Sequence, residues 1–367
     1  MKVKLIIIIG IIANATLAIS QEIPYAQSLI IKDIEFEWST HISLAPGSDN
    51  WPITWADDNN QYTVWGDGGG FGGTNSLGRS SIGVARIEGN WDDFKAFNVF
   101  GGHNSENDHK LIAKSYGIIC IDGILYMWCG MFQTNIDQFE QTKIAYSENH
   151  GATWKFVEWA FTREEGIMMP TICNFDKNYE NARDDYVYMY LIRFQSYGGS
   201  DDYEDKVDWL NCQKPGLIDL ARVHKDSILT KKAYSFFVGI NNVKPIWTKN
   251  IFERKPIFEN SDGVGWCINV SYNSKLGRYF LTTEHTETHR GNIGIFDAPE
   301  PWGPWTTVLY DNAWGEGYIP LNSFYWNFAN KWLSPDGKNF SLIFTGRKEN
   351  DSFNLIRGVF ITEQEKN

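Results

Sequence analysis

Residues 48–73 read SDNWPITWADDNNQYTVWGDGGGFGG. Segments 53–56 and 61–66 are rich in aromatic and β-branched residues, and Asp57-Asp58-Asn59-Asn60 between them is turn chemistry. The stretch therefore reads as two strands joined by a turn. Its ends carry the chemistry. Asp49 and Asn50 stand before the first strand, and Asp67 follows the second, beside a glycine run. A hairpin returns both ends to one rim. Two carboxylates and a closely approachable backbone then share one neighbourhood.

The same unit recurs along the chain: a strand, a short turn, an aromatic strand, then a third strand with a polar outer edge. The copies are 53–56, 61–66 and 81–87; 117–121, 124–130 and 143–146, with 154–159 outermost; 171–175, 185–193 and 217–223; 267–272, 278–283 and 292–296, followed by 305–310; and 330–333, 339–345 and 354–360. A spacing of roughly 60–70 residues suits four-stranded blades with long loops. Asp122-Gly123, residues 273–277 and Pro335-Asp336-Gly337 fall where the first two strands of a unit must join. SENHGATW at 147–154 resembles the Asp-box S-x-D-x-G-x-T-W, with Asn149 in place of the Asp. That motif is a structural turn between outer strands and carries no catalytic content. Fivefold order predicts an all-β chain forming a single five-bladed β-propeller over 21–367. A sandwich explains the strands but not their order. Helix signals are weak; one short helix is expected in 213–226 or 231–237.

Lys2 and Lys4 precede an apolar run at 5–12, and Ala18-Ile19-Ser20 precedes Gln21. This is the pattern of a secretory signal peptide over 1–20. The run is too short to span a bilayer, and no Cys is placed for a lipid anchor, so a periplasmic or secreted protein is expected. The 15% aromatic content with 16 Trp favours β-structure and sugar-stacking surfaces. A net charge of −12 argues against nucleic acid, which needs a basic footprint, and favours a soluble monomer. Five Cys cannot all pair within one chain. The Asp122-Gly123 turn sets Cys120 opposite Leu125 rather than Cys129, so no disulfide framework is expected.

In a propeller the innermost strands line a central channel, and loops at one end make the pocket. Starts of first strands and ends of second strands are then the candidates. They are Asp49, Asn50 and Asp67; Lys114, Ser115 and Tyr116, with Trp128 nearby; Pro170-Thr171 and Arg193; Trp266, Asn269, Glu284 and His285; Asn327 and Arg347. His103, His109 and His289 are loop residues able to reach over the rim. Each has a bland alternative. Asp49 and Asp67 also serve as turn caps, Lys114 as a solvated edge charge, Tyr116, Trp128 and Trp266 as core. Glu284 and His285 open EHTETH, an alternation usual on exposed strands. Arg193 and Arg347 end equivalent strands and would clamp a carboxylate or sulfate in bidentate fashion, or pair with Asp49 and Asp67. No metal site is predicted, since His285 and His289 lack the HExxH order; a structural ion in the channel stays open. No P-loop, dinucleotide fingerprint, GxSxG elbow or CxxC pair is present, so no cofactor is expected.

SDNWPITWADD with YTVWGDG, KSYGIICIDGILYMWCG, the run ARDDYVYMY at 182–190 and DAPEPWGPWTTV at 297–308 together resemble an exported bacterial propeller family of polysaccharide-utilisation loci in marine Bacteroidetes and Planctomycetes. The resemblance spans nearly the whole chain after residue 20 and implies carbohydrate chemistry of two kinds. One branch resembles arabinan-cleaving glycoside hydrolases with paired carboxylates. Another resembles the ulvan-oligosaccharide dehydratase of marine flavobacteria, which eliminates water from a non-reducing-end uronic acid to leave a 4,5-unsaturated sugar. The Lys/Asn/Ile-rich exported layout is similar to the second branch, so a dehydratase acting on an acidic oligosaccharide is the leading expectation. Placed on the propeller rim, elimination takes His285 or Tyr116 as base and acid, Lys114, Arg193 or Arg347 as carboxylate clamp, and Asn269 as a further donor. Asp49, Asn50, His103, Trp128 and Trp266 complete the expected substrate contacts. Hydrolysis takes Asp49, Asp67 and Glu284 instead. A non-catalytic glycan-binding propeller is the third reading.

Overall fold

The structure, a computed structural model, describes residues 23–133, 137–193 and 211–363. The signal-peptide reading of 1–20 lies outside the described residues. Five antiparallel sheets follow one another along the chain. Blade I holds Ile53–Trp55, Gln61–Gly66, Ile82–Glu88 and Lys95–Phe100. Blade II holds Lys114–Ile121, Ile124–Gln133 and Asp137–Ser147, edged by Lys155–Phe156 and Phe161–Thr162. Blade III holds Met168–Ile172, Tyr186–Arg193 and Gly216–His224, with Pro256–Asn260 outermost and an added hairpin, Ser235–Asn241 and Lys244–Thr248. Blade IV holds Asn269–Asn273, Arg278–Glu284, Ile293–Ala298 and Thr306–Asp311. Blade V holds Asn322–Phe328, Asn339–Arg347 and Asp351–Thr362. Its fourth strand is the N-terminal Ile31–Leu44, antiparallel to the last strand.

Polar contacts stitch each blade to the next. Thr54 Oγ1 accepts from Cys120 N at 3.0 Å, Ile118 O from Asn174 Nδ2 at 3.1 Å, and Asn174 O from Tyr272 N at 2.8 Å. Thr282 Oγ1 donates to Trp326 O at 2.5 Å, and Thr345 Oγ1 accepts from Asn50 N at 3.0 Å, which completes the circuit from blade V to blade I. Aromatic residues fill the wedges between blades; Trp51, Trp65, Trp128 and Trp326 are fully buried.

The turns obey their local chemistry. Asp122 and Gly123 both take positive φ, 50° and 77°, between the paired Ile121 and Ile124, as a two-residue hairpin demands. Cys120 lies opposite Leu125 and Cys129 opposite Ser115, and all five cysteines are free. In the Asp-box-like turn, Asn149 Oδ1 accepts from Thr153 N at 3.0 Å and Ser147 Oγ from Gly151 N at 2.9 Å.

Two expectations are corrected. The inner strand of blade V is Asn322–Phe328; Asn330–Trp332 is a single 3₁₀ turn that buries Trp332. The described residues contain no α-helix. LIDLARVHK at 217–225 is strand through His224 because Asp219, the polar break in its apolar pattern, is itself buried between two arginines. At 231–237, a 3₁₀ turn at Lys231–Ala233 leads into the strand that starts at Ser235.

Candidate functional site at the channel mouth

Antiparallel pairing brings the starts of the inner strands, the ends of the middle strands and the starts of the third strands to one end of the ring. On blade I, Asp49 and Gly66 form a bridge, with Asp49 N donating to Gly66 O at 3.0 Å and Gly66 N to Asp49 O at 2.8 Å. Asp67 is the next residue and turns the chain at φ 52°. Glycine at 66 is required here. A Cβ would stand 2.6 Å from Asp49 Oδ1 and 3.4 Å from Lys114 Nζ, so these two groups gather over bare backbone.

Lys114 Nζ reaches Asp67 Oδ1 at 2.5 Å, and Arg79 lies 3.5 Å from the same carboxylate. Among the described residues Asp49 has no such partner. The residue keeps part of its surface open, but its Oδ1 is sealed from solvent and makes no hydrogen bond. Burial pushes its carboxyl up to about 7; Lys114 opposes the rise, and the charges of Asp67 and Asp351 add to it. Asp351 belongs to blade V and is tied back by Gly47 N, which donates to its carbonyl at 2.6 Å. Its carboxyl is also raised, by burial first, with Arg347 opposing and Asp67 adding.

Blade IV supplies a second buried acid. Glu284 is fully buried at the end of the middle strand. Its Oε1 accepts from His289 N at 2.6 Å and its Oε2 from Thr288 Oγ1 at 2.8 Å. Burial outweighs both bonds and pushes the carboxyl up to about 8. Trp266 Nε1 donates to Thr288 Oγ1 at 3.2 Å. The His289 ring stands edge-on to Phe324, centroids 4.1 Å apart, and 5.7 Å from Trp266. Burial, with Arg347 and Arg290 adding, holds that imidazole down at about 4, so it is neutral at pH 7.

Tyr116 and Cys267 lie between the two acids. The Tyr116 ring meets Trp266 edge-on at 5.9 Å, and Tyr325 Oη donates to Tyr116 O at 2.6 Å. Tyr325 sits at φ 52° in a bulge of the blade V inner strand, a costly conformation for a bulky residue. Cys267 Sγ lies 3.5 Å from Asn50 Oδ1. Burial raises its thiol, and the charges of Glu284 and Asp49 both add, which sets this residue within reach of both carboxyls.

The ring therefore brings Asp49, Asn50, Asp67, Lys114, Tyr116, Trp266, Glu284 and the loop residue His289 to one mouth, with Arg347 at its rim. Asn269 is buried in the inner strand of blade IV, opposite Thr282. Other candidates lie elsewhere. His285 is fully buried, stacked on Tyr310 at 3.8 Å, and its Nε2 faces the carbonyls of Ile293 and Asp311 at 3.3 and 3.2 Å. Strand alternation turns it away from Glu284. Trp128 is core, donating to Met189 Sδ at 3.1 Å and packed on Phe161. Arg193 is bound to Asp219, which also holds Arg254, inside blade III. His103 stays with the glycine-rich loop, where its N donates to Gly69 O at 2.8 Å. His109 packs on Phe100 and accepts from Trp154 N at 3.3 Å. Asp351, Arg79, Cys267 and Tyr325 escaped the sequence reading. Asp351 starts a third strand, a position outside the strand-end rule, which takes only starts of first strands and ends of second strands; the other three carry no motif.

Among the described residues, a group with metal-ligand spacing is Asp57, Asp58 and His150, on turns at the opposite end of the ring, with His150 Nε2 2.9 Å from Asp57 Oδ1. No described helix is long and apolar enough to cross a membrane.

Residues 116–318, more than half of the chain, match the family described as a domain of unknown function, DUF4185, and the chain belongs to that family. The matched span holds Tyr116, Trp266, Glu284 and His289, whereas Asp49, Asp67, Lys114 and Asp351 fall outside it. No curated protein matches the sequence. Two solved structures share the fold. A hydrolase candidate from Bacteroides ovatus superposes with a TM-score of 0.51 at 11% identity, covering 86% of this chain and 87% of that one. A GH43_1 enzyme from Xanthomonas citri superposes with a TM-score of 0.50 at 16% identity, covering 87% and 91%. The likeness establishes the five-bladed propeller common to these chains.

Proposed function

We propose that this member of the DUF4185 family hydrolyses a glycosidic bond in an oligosaccharide held at the channel mouth. One observation carries the reading. Two carboxyls on one rim sit in opposite environments: Asp49 is sealed, unpaired and pushed up to about 7, while Asp67 is bound by Lys114 at 2.5 Å. Glycoside hydrolysis needs such a division, one carboxyl carrying a proton for the leaving oxygen and one ionised to act on water or on the anomeric carbon. Asp49 is the acid and Asp67 the base or nucleophile. Lys114 holds Asp67 in place. Glu284, protonated at neutral pH, fixes the His289–Thr288 turn and through Thr288 the Trp266 indole. His289, partly exposed and backed by the buried Trp266 indole, then offers a ring against which a sugar packs. The shared fold of a GH43_1 enzyme supports a carbohydrate-active reading.

The test is turnover on arabinan, galactan, xylan and ulvan oligosaccharides, read as new reducing ends. Asp67→Asn and Asp49→Asn should each lower kcat by about 10²–10⁴-fold, the usual worth of a general acid or base. Full activity in Asp67→Asn removes the reading.

Elimination from a uronic acid is the second reading, and the cations at the mouth, Lys114, Arg79 and Arg347, favour it. Its base is reassigned, since His285 lies under Tyr310; the neutral His289 takes that role and Tyr116 that of acid. It ranks second because Lys114 is already engaged by Asp67 and would have to leave it to hold a substrate carboxylate.

A further inference from the structure

We propose that a cavity on the rim between blades IV and V, beside His289, is a subsite for an oxyanion borne by the glycan, a sulfate ester or a uronate carboxylate. This inference rests on the carbohydrate reading above and names the class of glycan. The cavity has a volume of about 520 Å³ and is lined by Arg290, Arg347, Lys348 and Asn322, with Trp314 on its wall and Glu316 the one acid among its lining residues. That volume lies within the range of small-molecule sites. Three cations against one carboxylate is a local inversion of sign in a chain of net charge −12.

These cations are available. Arg347 meets Asp351 at 3.8 Å and Arg290 meets Glu287 at 4.0 Å, with side chains 54% and 63% exposed. Such loose, exposed pairs are weak and are readily exchanged for a ligand. Each guanidinium presents a planar fork of donors that matches sulfate and carboxylate geometry. Arg193, the partner expected from the sequence for Arg347, is consumed by Asp219; Arg290 and Lys348 replace it. The cavity joins the channel mouth through the chain itself. Arg290 follows His289 directly, and Arg347 ends the strand that leads to Asp351. Both guanidiniums also lie close enough to depress the His289 imidazole. A sugar packed on His289 thus places its neighbour's charged substituent over the arginines.

The test is isothermal titration at fixed ionic strength, with the full chain carrying Asp67→Asn so that turnover does not intrude. The probes are rhamnose 3-sulfate, methyl β-glucuronide and methyl β-glucoside. At least one anionic probe should bind about 10-fold tighter than the glucoside, and which one does so distinguishes sulfate from carboxylate. Arg290→Gln with Lys348→Gln, its fold checked by circular dichroism, should abolish that preference, as should Arg347→Gln on its own. Equal binding of all three probes, or a preference that survives both variants, overturns the subsite. Turnover of neutral glycans in the protein with Asp67 intact would leave the hydrolase reading standing in that case. Conversely, a preference lost in the variants with no hydrolysis of any glycan would sink the hydrolase reading alone.

Discussion

Lys114 Nζ lies 2.5 Å from Asp67 Oδ1, and the same ammonium stands over Gly66, within 3.4 Å of where a Cβ there would sit; Asp49 Oδ1 is 2.6 Å from that point. One cation therefore faces two acids and is bound to one of them. This asymmetry sets the ion-paired Asp67 apart from Asp49, whose buried carboxyl is raised. Lys114→Met removes it. Asp67 keeps only Arg79 as a counter-ion, and Asp49 loses the charge that most opposes its rise. Activity should fall by about 10²-fold or more, and the basic limb of the pH–rate profile should move to higher pH. A profile that keeps its limb would detach Lys114 from Asp49.

Stability should depend on pH through Asp49. Its folded-state value, about 7, lies above the ordinary carboxylate range, so the folded protein binds the proton more tightly than the unfolded chain. The contribution is full below about pH 4 and is lost as pH rises through 7. Glu284, pushed up to about 8, acts in the same direction. Asp49→Asn has no proton to lose. Urea denaturation at pH 5 and pH 8 should show the parent losing more stability across this interval than the variant; parallel losses would contradict the assignment.

His285 and His289, four residues apart in the chain, should behave differently. His285 is packed under Tyr310 with its ring facing carbonyls, so His285→Phe should lower the unfolding midpoint. His289 lines the mouth against Trp266 and Phe324. His289→Ala should raise KM by about 10-fold, the order of one lost ring contact. The checks are thermal unfolding and steady-state kinetics on both variants.

Ring closure rests on the N-terminal strand. Ile31–Leu44 covers the edge of Asp351–Thr362, and Ile31 and Ile34 are buried there. Deleting 31–44 exposes a 12-residue edge rich in apolar side chains. Light scattering should show association of the deleted protein, with loss of a single cooperative transition.

Much of this was legible in the sequence, and the failures have physical causes. Turn chemistry located the hairpins of blades I, II and IV, because Asp122-Gly123 and its counterparts are fixed by φ alone. Blade V was misplaced by one element: Asn330–Trp332 buries Trp332 and so mimics a strand beside the Pro335-Asp336-Gly337 turn. The closing strand at 31–44 does alternate, Ile34, Phe36 and Trp38 facing a core between Glu35 and Glu37, but it precedes the first repeat and belongs to the last blade, an association that no local pattern reveals. At the site, strand-end position found Asp49, Asp67, Lys114 and Glu284. It also offered His285 and Arg193, because strand ends do not reveal which face a side chain takes or which buried ion pair has claimed it.

The most direct measurement is mass spectrometry of the products formed in ¹⁸O-enriched water, with near-ultraviolet absorbance recorded alongside. Hydrolysis by Asp49 and Asp67 predicts one ¹⁸O in each newly cleaved sugar and no new absorbance. Products lighter by one water, without the label and with rising absorbance, would contradict it and establish elimination.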